Sequence, residues 1–124
     1  MIEASPGWWI PLSWTGQDNP DFADTSPKHW VSPTMKEFLL SGLPPKRYWT
    51  VFNIQQSSFY RINYDIENWL ALGEQLRADH TVIHSLNRAQ IIDDSFQLAK
   101  AGKLTIYFYM ETIKTNNKNI KVEL

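Results

Sequence analysis

The sequence predicts an α+β chain: a partial antiparallel β-sandwich followed by an α-helical segment of two to three helices. Three observations carry that expectation. Aromatic residues make up 14% of the 124 residues, with 6 Trp among them, and most stand ahead of Trp69, where bulky rings suit a pleated, half-buried surface. Within that front half, aromatic and β-branched residues alternate with a period of two. At Asp65 the period changes to that of a helix. The expected division is 1–65, a partial β-sandwich domain, and 66–124, the start of a helical domain with a frayed tail.

Taken in order, Trp8 to Thr15 reads as a strand interrupted by Pro11, which cannot donate to a ladder and so belongs on an edge or at a bulge. Gly16 to Pro27 is rich in Asp, Asn, Pro, Ser and Thr and reads as a loop. His29 to Val31 and Met35 to Leu40 are short strand candidates, and Gly42-Leu43-Pro44-Pro45 punctuates the chain. Tyr48 to Ile54 and Phe59 to Tyr64, around the polar Gln55-Gln56-Ser57-Ser58, have the pattern of an antiparallel hairpin. In its second arm Tyr60, Ile62 and Tyr64 share one face, and Phe59, Arg61 and Asn63 the other.

Asp65 is placed to cap a helix over about Ile66 to Ala78, in which Trp69, Leu72 and Leu76 recur at helical spacing. A second helix is expected from Val82–Ser85 onward, with Leu86, Ala89, Ile92, Phe96 and Ala99 on its core stripe and Gly102 as its stop. Thr105 to Ile113 suits either a strand by composition or a third helix by position, and the helix is preferred. Lys114 to Leu124 reads as a frayed tail.

Composition narrows the function classes. The 12 Lys+Arg against 13 Asp+Glu give a formal net charge of -1, and the basic residues are scattered, so no electrostatic footprint for a nucleic-acid backbone exists. With no cysteine, thiolate metal sites, cysteine nucleophiles and disulfides are excluded. No apolar run approaches the roughly 20 residues that span a bilayer.

Three segments carry a family resemblance. They are Trp9-Ile10-Pro11; Asn53-Ile54-Gln55-Gln56 with Tyr60-Arg61-Ile62-Asn63-Tyr64-Asp65; and Asn87-Arg88-Ala89-Gln90-Ile91-Ile92-Asp93-Asp94. They resemble the Trp-x-Ile-Pro strand, the Asn-x-Gln-Gln…Tyr-Arg-Val-Asn-Tyr-Asp junction and the Asn-Arg-Ala-Gln-Leu-Ile-Asp-Asp helix of zinc aminopeptidases of the aminopeptidase N type. Residues from about Trp8 to Ile113 are similar to the end of that family's small β-sandwich domain and the start of its endoplasmic-reticulum-aminopeptidase-like helical C-terminal domain.

The resemblance implies an exopeptidase parent that removes N-terminal residues from peptides. Its zinc would be held by a His-Glu-x-x-His helix and a distant Glu, and its substrate amine by a Gly-x-Met-Glu-Asn loop. Both elements lie upstream of the region matched and neither occurs here. The expectation is therefore a fragment or truncated member acting as a non-catalytic scaffold, with no catalytic, cofactor-binding or metal-binding residue of its own, zinc belonging to the full-length enzyme, and peptide substrate met only through the missing catalytic domain. The family also suggests the plasma membrane or its extracellular face. An incomplete sandwich would expose a strand edge, so self-association through that edge is expected. Two departures stand out: Ser58 replaces the family's usual glycine, which implies strain if that turn needs a positive φ, and the resemblance is expected to fail after Ile113.

Individual candidates read as structural. His80 and His84 have the spacing of a metallopeptidase helix, but Thr81 stands where the general-base glutamate is required, so they read as polar residues at a helix start. Asp93 and Asp94 point about 100° apart on a helix and do not converge as an acid/base pair. Arg88 lies five and six positions before them and is expected to find its partner off the helix, stapling it to the sandwich. Arg61 is expected to hold a carboxylate such as Asp65 or to stack on Tyr60 or Tyr64. Trp8, Trp9 and Trp14 support the rival reading, a free-standing β-sandwich module that binds carbohydrate or protein.

Overall fold

The structure is a computed structural model that describes residues 2–3, 7–35 and 37–102. Six short strands precede two helices: β1 (Ile2–Glu3), β2 (Ile10–Leu12), β3 (Trp14–Gly16), β4 (His29–Val31), β5 (Thr50–Phe52), β6 (Arg61–Ile62), α1 (Ile66–Asp79) and α2 (Ser85–Lys100), with 3₁₀ turns at Ile54–Gln56 and His80–Val82. Among the described residues the strands form three two-stranded antiparallel ladders, β1 with β6, β2 with β4 and β3 with β5. This is the α+β architecture that the change of period at Asp65 predicts.

The Trp8–Thr15 segment becomes two strands rather than one. Ser13 separates them, and the chain changes partner there: Pro11 faces Trp30 across one ladder while Thr15 faces Val51 across the other. Pro11 lies in a strand that has one partner, which suits a residue with no N–H to give. Gly16 is required at the far end of β3, since a Cβ there would lie 2.6 Å from Pro44 Cγ. Met35 to Leu40 forms no strand among its described residues; Phe38 and Leu40 instead pack as irregular chain against the small cluster of Leu12, Trp14 and Val31.

The expected hairpin is not formed. β5 pairs with β3, and β6 pairs with β1. The reason lies in the residues between them: Asn53, Gln55 and Gln56 adopt positive φ values of 61°, 55° and 53°, so the chain turns left-handed at three positions and cannot continue a ladder. Ser58 has no positive φ; the left-handed geometry falls earlier than the glycine-to-serine departure implies. The other edge of β5 is closed by helix and strand-end side chains. The Asn68 amide accepts from Thr50 N at 2.8 Å and donates to Thr50 O at 2.9 Å, and the Tyr64 hydroxyl accepts from Phe52 N at 2.9 Å.

α1 starts as its cap predicts, with the Asp65 carboxylate accepting from Asn68 N at 2.7 Å, and it buries Trp69, Leu72 and Leu76. These join Trp49, Val51, Ile54, Ile83, Ile91 and Leu98 in one core that draws on β5, both helices and the turns beside them. Hydrophobic burial therefore crosses residue 65 without a break. Gly102, at φ 75°, follows the end of α2 as a left-handed C-terminal residue. The expected helix at Thr105–Ile113 and the tail from Lys114 to Leu124 lie outside the described residues.

α2 faces the opposite way from its expected stripe. Its buried residues are Asn87, Gln90, Ile91, Asp94, Ser95 and Leu98, whereas Leu86, Ala89 and Phe96 are exposed and Ile92 and Ala99 half-buried. Polar side chains occupy most of the inward face.

Candidate functional site

The inward polar face of α2 meets the left-handed turn, and this seam is where the chain's distinctive residues converge. Positive φ at a non-glycine residue costs on the order of 1 kcal/mol, and a turn of this kind leaves backbone groups without helix or sheet partners. Those groups find side chains. Asn53, buried, donates its backbone N–H to Ser13 O at 2.9 Å, while its side chain accepts from Ser58 N at 3.0 Å and donates to Ser58 O at 2.8 Å. Ile54 N donates to the Ser13 hydroxyl at 3.0 Å. Ser13, the residue that interrupts the first strand, thus ties the turn to the β part.

Asn87 ties the same turn to α2. Its Oδ1 accepts from Gln55 N at 2.8 Å, and its Nδ2 donates to Asn53 O at 2.9 Å and to Gln90 Oε1 at 2.7 Å. Gln56 adds a bond from Nε2 to Leu86 O at 2.9 Å, a second donor on a carbonyl in the first turn of α2. Gln55 reaches the other way, to Phe22 O at 2.7 Å. Each buried bond removes a desolvation cost of roughly 1–3 kcal/mol that an apolar residue at the same place would leave standing.

Below this knot, Arg61 joins β6 to α2. Its Nε lies 3.1 Å from Asp94 Oδ1 and one terminal nitrogen 3.3 Å from Asp93 Oδ2, and the Ile62 amide donates to Asp94 Oδ2 at 3.4 Å. Burial pushes the Asp94 carboxyl up to about 6, against the opposing pull of the Ile62 amide and the Arg61 guanidinium. Burial likewise raises the Tyr60 and Tyr64 hydroxyls. The staple expected of Arg88 is made by Arg61 instead, because a strand arginine facing the helix reaches both carboxylates; Arg88 Nε makes no hydrogen bond among the described residues. Asp65, the partner expected for Arg61, is occupied as a helix cap.

His80 opens the second 3₁₀ turn, and His84 precedes α2, its Nδ1 accepting from Leu86 N at 3.1 Å. The two imidazoles therefore do not share one turn of α-helix, and one ring nitrogen of His84 already caps. Zinc does not fit this pair, and no group of three or more metal-ligating side chains occurs among the described residues. The tryptophan cluster divides: Trp14 is buried against Phe52, while Trp8 and Trp9 are exposed. Asn87 and Gln90 are not among the site residues expected from sequence, although with Asp94 and Leu98 they recur at helical spacing as regularly as the apolar stripe does. That polar periodicity was the available signal.

A seam of this form, a left-handed polar turn closed by an Asn-Arg-Ala-Gln helix and an arginine-aspartate staple, defines a junction between a β segment and a helical one. The ERAP1-like C-terminal domain family matches residues 49–122, and the chain belongs to that family. The match passes Ile113, so the likeness does not end where the sequence reading expected. Aminopeptidase N of Plutella xylostella is 43% identical over 104 residues, 82% of this chain and 11% of the relative. Membrane alanyl aminopeptidase of Manduca sexta is 41% identical over 106 residues, 84% of this chain and 10% of the relative. Aminopeptidase Ey of Gallus gallus is 33% identical over 110 residues, 86% of this chain and 10% of the relative. The chain spans about a tenth of the length of these relatives. Among the described residues no helix is long and apolar enough to cross a membrane.

Proposed function

We propose that this chain is a scaffold segment of a zinc aminopeptidase that removes N-terminal residues from peptides, and that it holds the β-sandwich and helical parts in a set orientation without contributing a catalytic or metal-binding residue. The observation that carries this reading is the Asn53–Asn87 knot. Its side chains are spent on backbone groups of the turn, and such bonds fix geometry rather than present reactive atoms. Zinc and peptide substrate would be met by a part of the enzyme outside this span, at the extracellular face of the plasma membrane, a location supported only as far as "membrane" in the name of the Manduca sexta relative. Nucleic acid is not among the proposed partners, and self-association would use the open edges of the two-stranded ladders.

The test is direct. The folded chain, supplied with zinc and aminoacyl substrates, is expected to give no turnover, and Asn87→Ala is expected to lower its melting temperature. Robust zinc-dependent turnover would overturn the reading.

A second reading, recognition of carbohydrate or protein by aromatic side chains, is favoured by one observation. Trp9 and Trp30 are 58% and 52% exposed, and Trp30 pairs across β4 and β2 with Pro11. A glycan panel titrated against tryptophan fluorescence separates the two, since a scaffold gives no saturable change.

A further inference from the structure

A cleft of about 360 Å³ opens beside the seam, between the chain around β6 and the Gln90–Asp94 stretch of α2, and its lining contains groups that the seam does not use. Its apolar lining includes Trp8, 54% exposed, and Phe59, 98% exposed. Aromatic faces left in water beside a polar hollow are suited to a flat or cationic group that carries an aliphatic stem. The charged lining is Arg61, Asp93 and Asp94. One guanidinium against two carboxylates leaves an excess negative charge there when both acids are ionised. Asp93 gives Arg61 a single contact at 3.3 Å and keeps its side chain 64% exposed, so acceptor capacity remains for a further donor.

Gln90 supplies an independent observation. It is 6% exposed and lines the cleft; its Oε1 is taken by Asn87, but its Nε2 has no acceptor among the described residues. Buried donors of this kind are rare in folded proteins because the lost hydration is not repaid. An acceptor oxygen brought to the depth of Gln90 would repay it. The Tyr60 hydroxyl, in the same lining, is likewise buried without a partner among the described residues.

A ligand that answers all three features brings a cation for Asp93, a stem that lies against aromatic faces, and a carbonyl oxygen. We propose that this cleft binds a basic side chain, arginine or lysine, presented by a polypeptide segment, with the cation on Asp93 and against Trp8 and Phe59 and a peptide carbonyl accepting from Gln90. Binding there does not depend on the scaffold role. Its volume matches one side chain with its peptide unit rather than a folded surface.

The full chain, titrated with N-acetyl-arginine amide and followed by the NMR signals of the Trp8 indole and the Gln90 side-chain amide, is expected to show saturable shifts at both, with a dissociation constant of about millimolar order. The lysine analogue is expected to bind within about threefold of it, and the isosteric citrulline analogue, which has no charge, about tenfold more weakly. Phe59→Ala replaces an exposed side chain and should keep the wild-type melting temperature, Asp93→Asn gives up one exposed contact to Arg61 and should lower it only slightly, and each should weaken arginine binding by about fivefold or more. Equal affinity for arginine and citrulline, no saturable shift at either signal, or undiminished binding by folded Asp93→Asn would each overturn the proposal.

Discussion

α1 and α2 are adjacent helices of similar length, yet they obey different rules. α1 buries the residues that hydrophobic periodicity selects, Trp69, Leu72 and Leu76. α2 buries Asn87, Gln90, Asp94 and Ser95 beside Ile91 and Leu98, and leaves Leu86 in water. What each packs against accounts for the contrast. α1 lies on Trp49 and Val51, whose side chains present hydrocarbon, so apolar area decides its rotation at about 25 cal/mol per Å². α2 lies on a turn whose amide and carbonyl groups are not spent in a ladder, and an apolar face there would strand them. A helix turns toward the surface it must satisfy, and that surface is not always apolar.

The comparison breaks hardest at the hydrocarbon core. Leu76→Ala, at a fully buried site, is expected to cost about 3 kcal/mol through lost transfer energy and a residual cavity, read from urea unfolding followed by circular dichroism. Asn87→Leu comes next: it enlarges apolar volume at the seam but takes away the partner of Gln55 N and of Gln90 Oε1, and is expected to destabilise by about 2–3 kcal/mol. A neutral or stabilising result in the same unfolding experiment would show that the turn can satisfy itself and that hydrophobicity governs α2 after all.

Asp94 sharpens the contrast through pH. Its folded carboxyl titrates at about 6, above the ordinary 3.8, so the folded state binds the proton more tightly than the unfolded one. The sign follows: this group's contribution is most favourable below pH 3.8, declines as pH rises toward 6, and is constant above that. Against the non-titrating Asp94→Asn, the wild-type chain is expected to lose on the order of 2 kcal/mol of relative stability between pH 4 and 6.5, measured by chemical denaturation at each pH. A flat difference would mean that Arg61 and the Ile62 amide fully compensate the burial. The smallest effect is expected on the outer stripe, where Leu86→Gln, exposed, should change unfolding free energy by less than about 0.5 kcal/mol.

Much of the helical part was legible in the sequence. Asp65 announced its cap, Gly102 its stop, and the spacing of Trp69, Leu72 and Leu76 its core face, because these features act within one or two turns of chain. The partition of Tyr60, Ile62 and Tyr64 from Phe59 and Arg61 was legible for the same reason, since alternation is a property of the strand itself. Strand pairing was not. Two apolar runs around a polar tetrapeptide look like a hairpin whether or not the intervening residues turn left-handed, and neither Asn53 nor Gln55 declares its φ by residue type. The candidate site was half legible: its residues other than Ser13 and Ser58 stand in the three motif segments, but Arg61 holds Asp94 rather than Asp65, and Arg88 makes no staple among the described residues.

Local patterning by itself determined the class of fold, the places where the helices begin and end, and the membership that the Asn-x-Gln-Gln and Asn-Arg-Ala-Gln segments carry. The tertiary structure alone decided which strand meets which, which way α2 faces, and that Arg61 closes on Asp94. Those choices turn on where unpaired backbone groups end up once the chain is folded, and a buried amide without a partner outweighs the burial of one more aliphatic side chain.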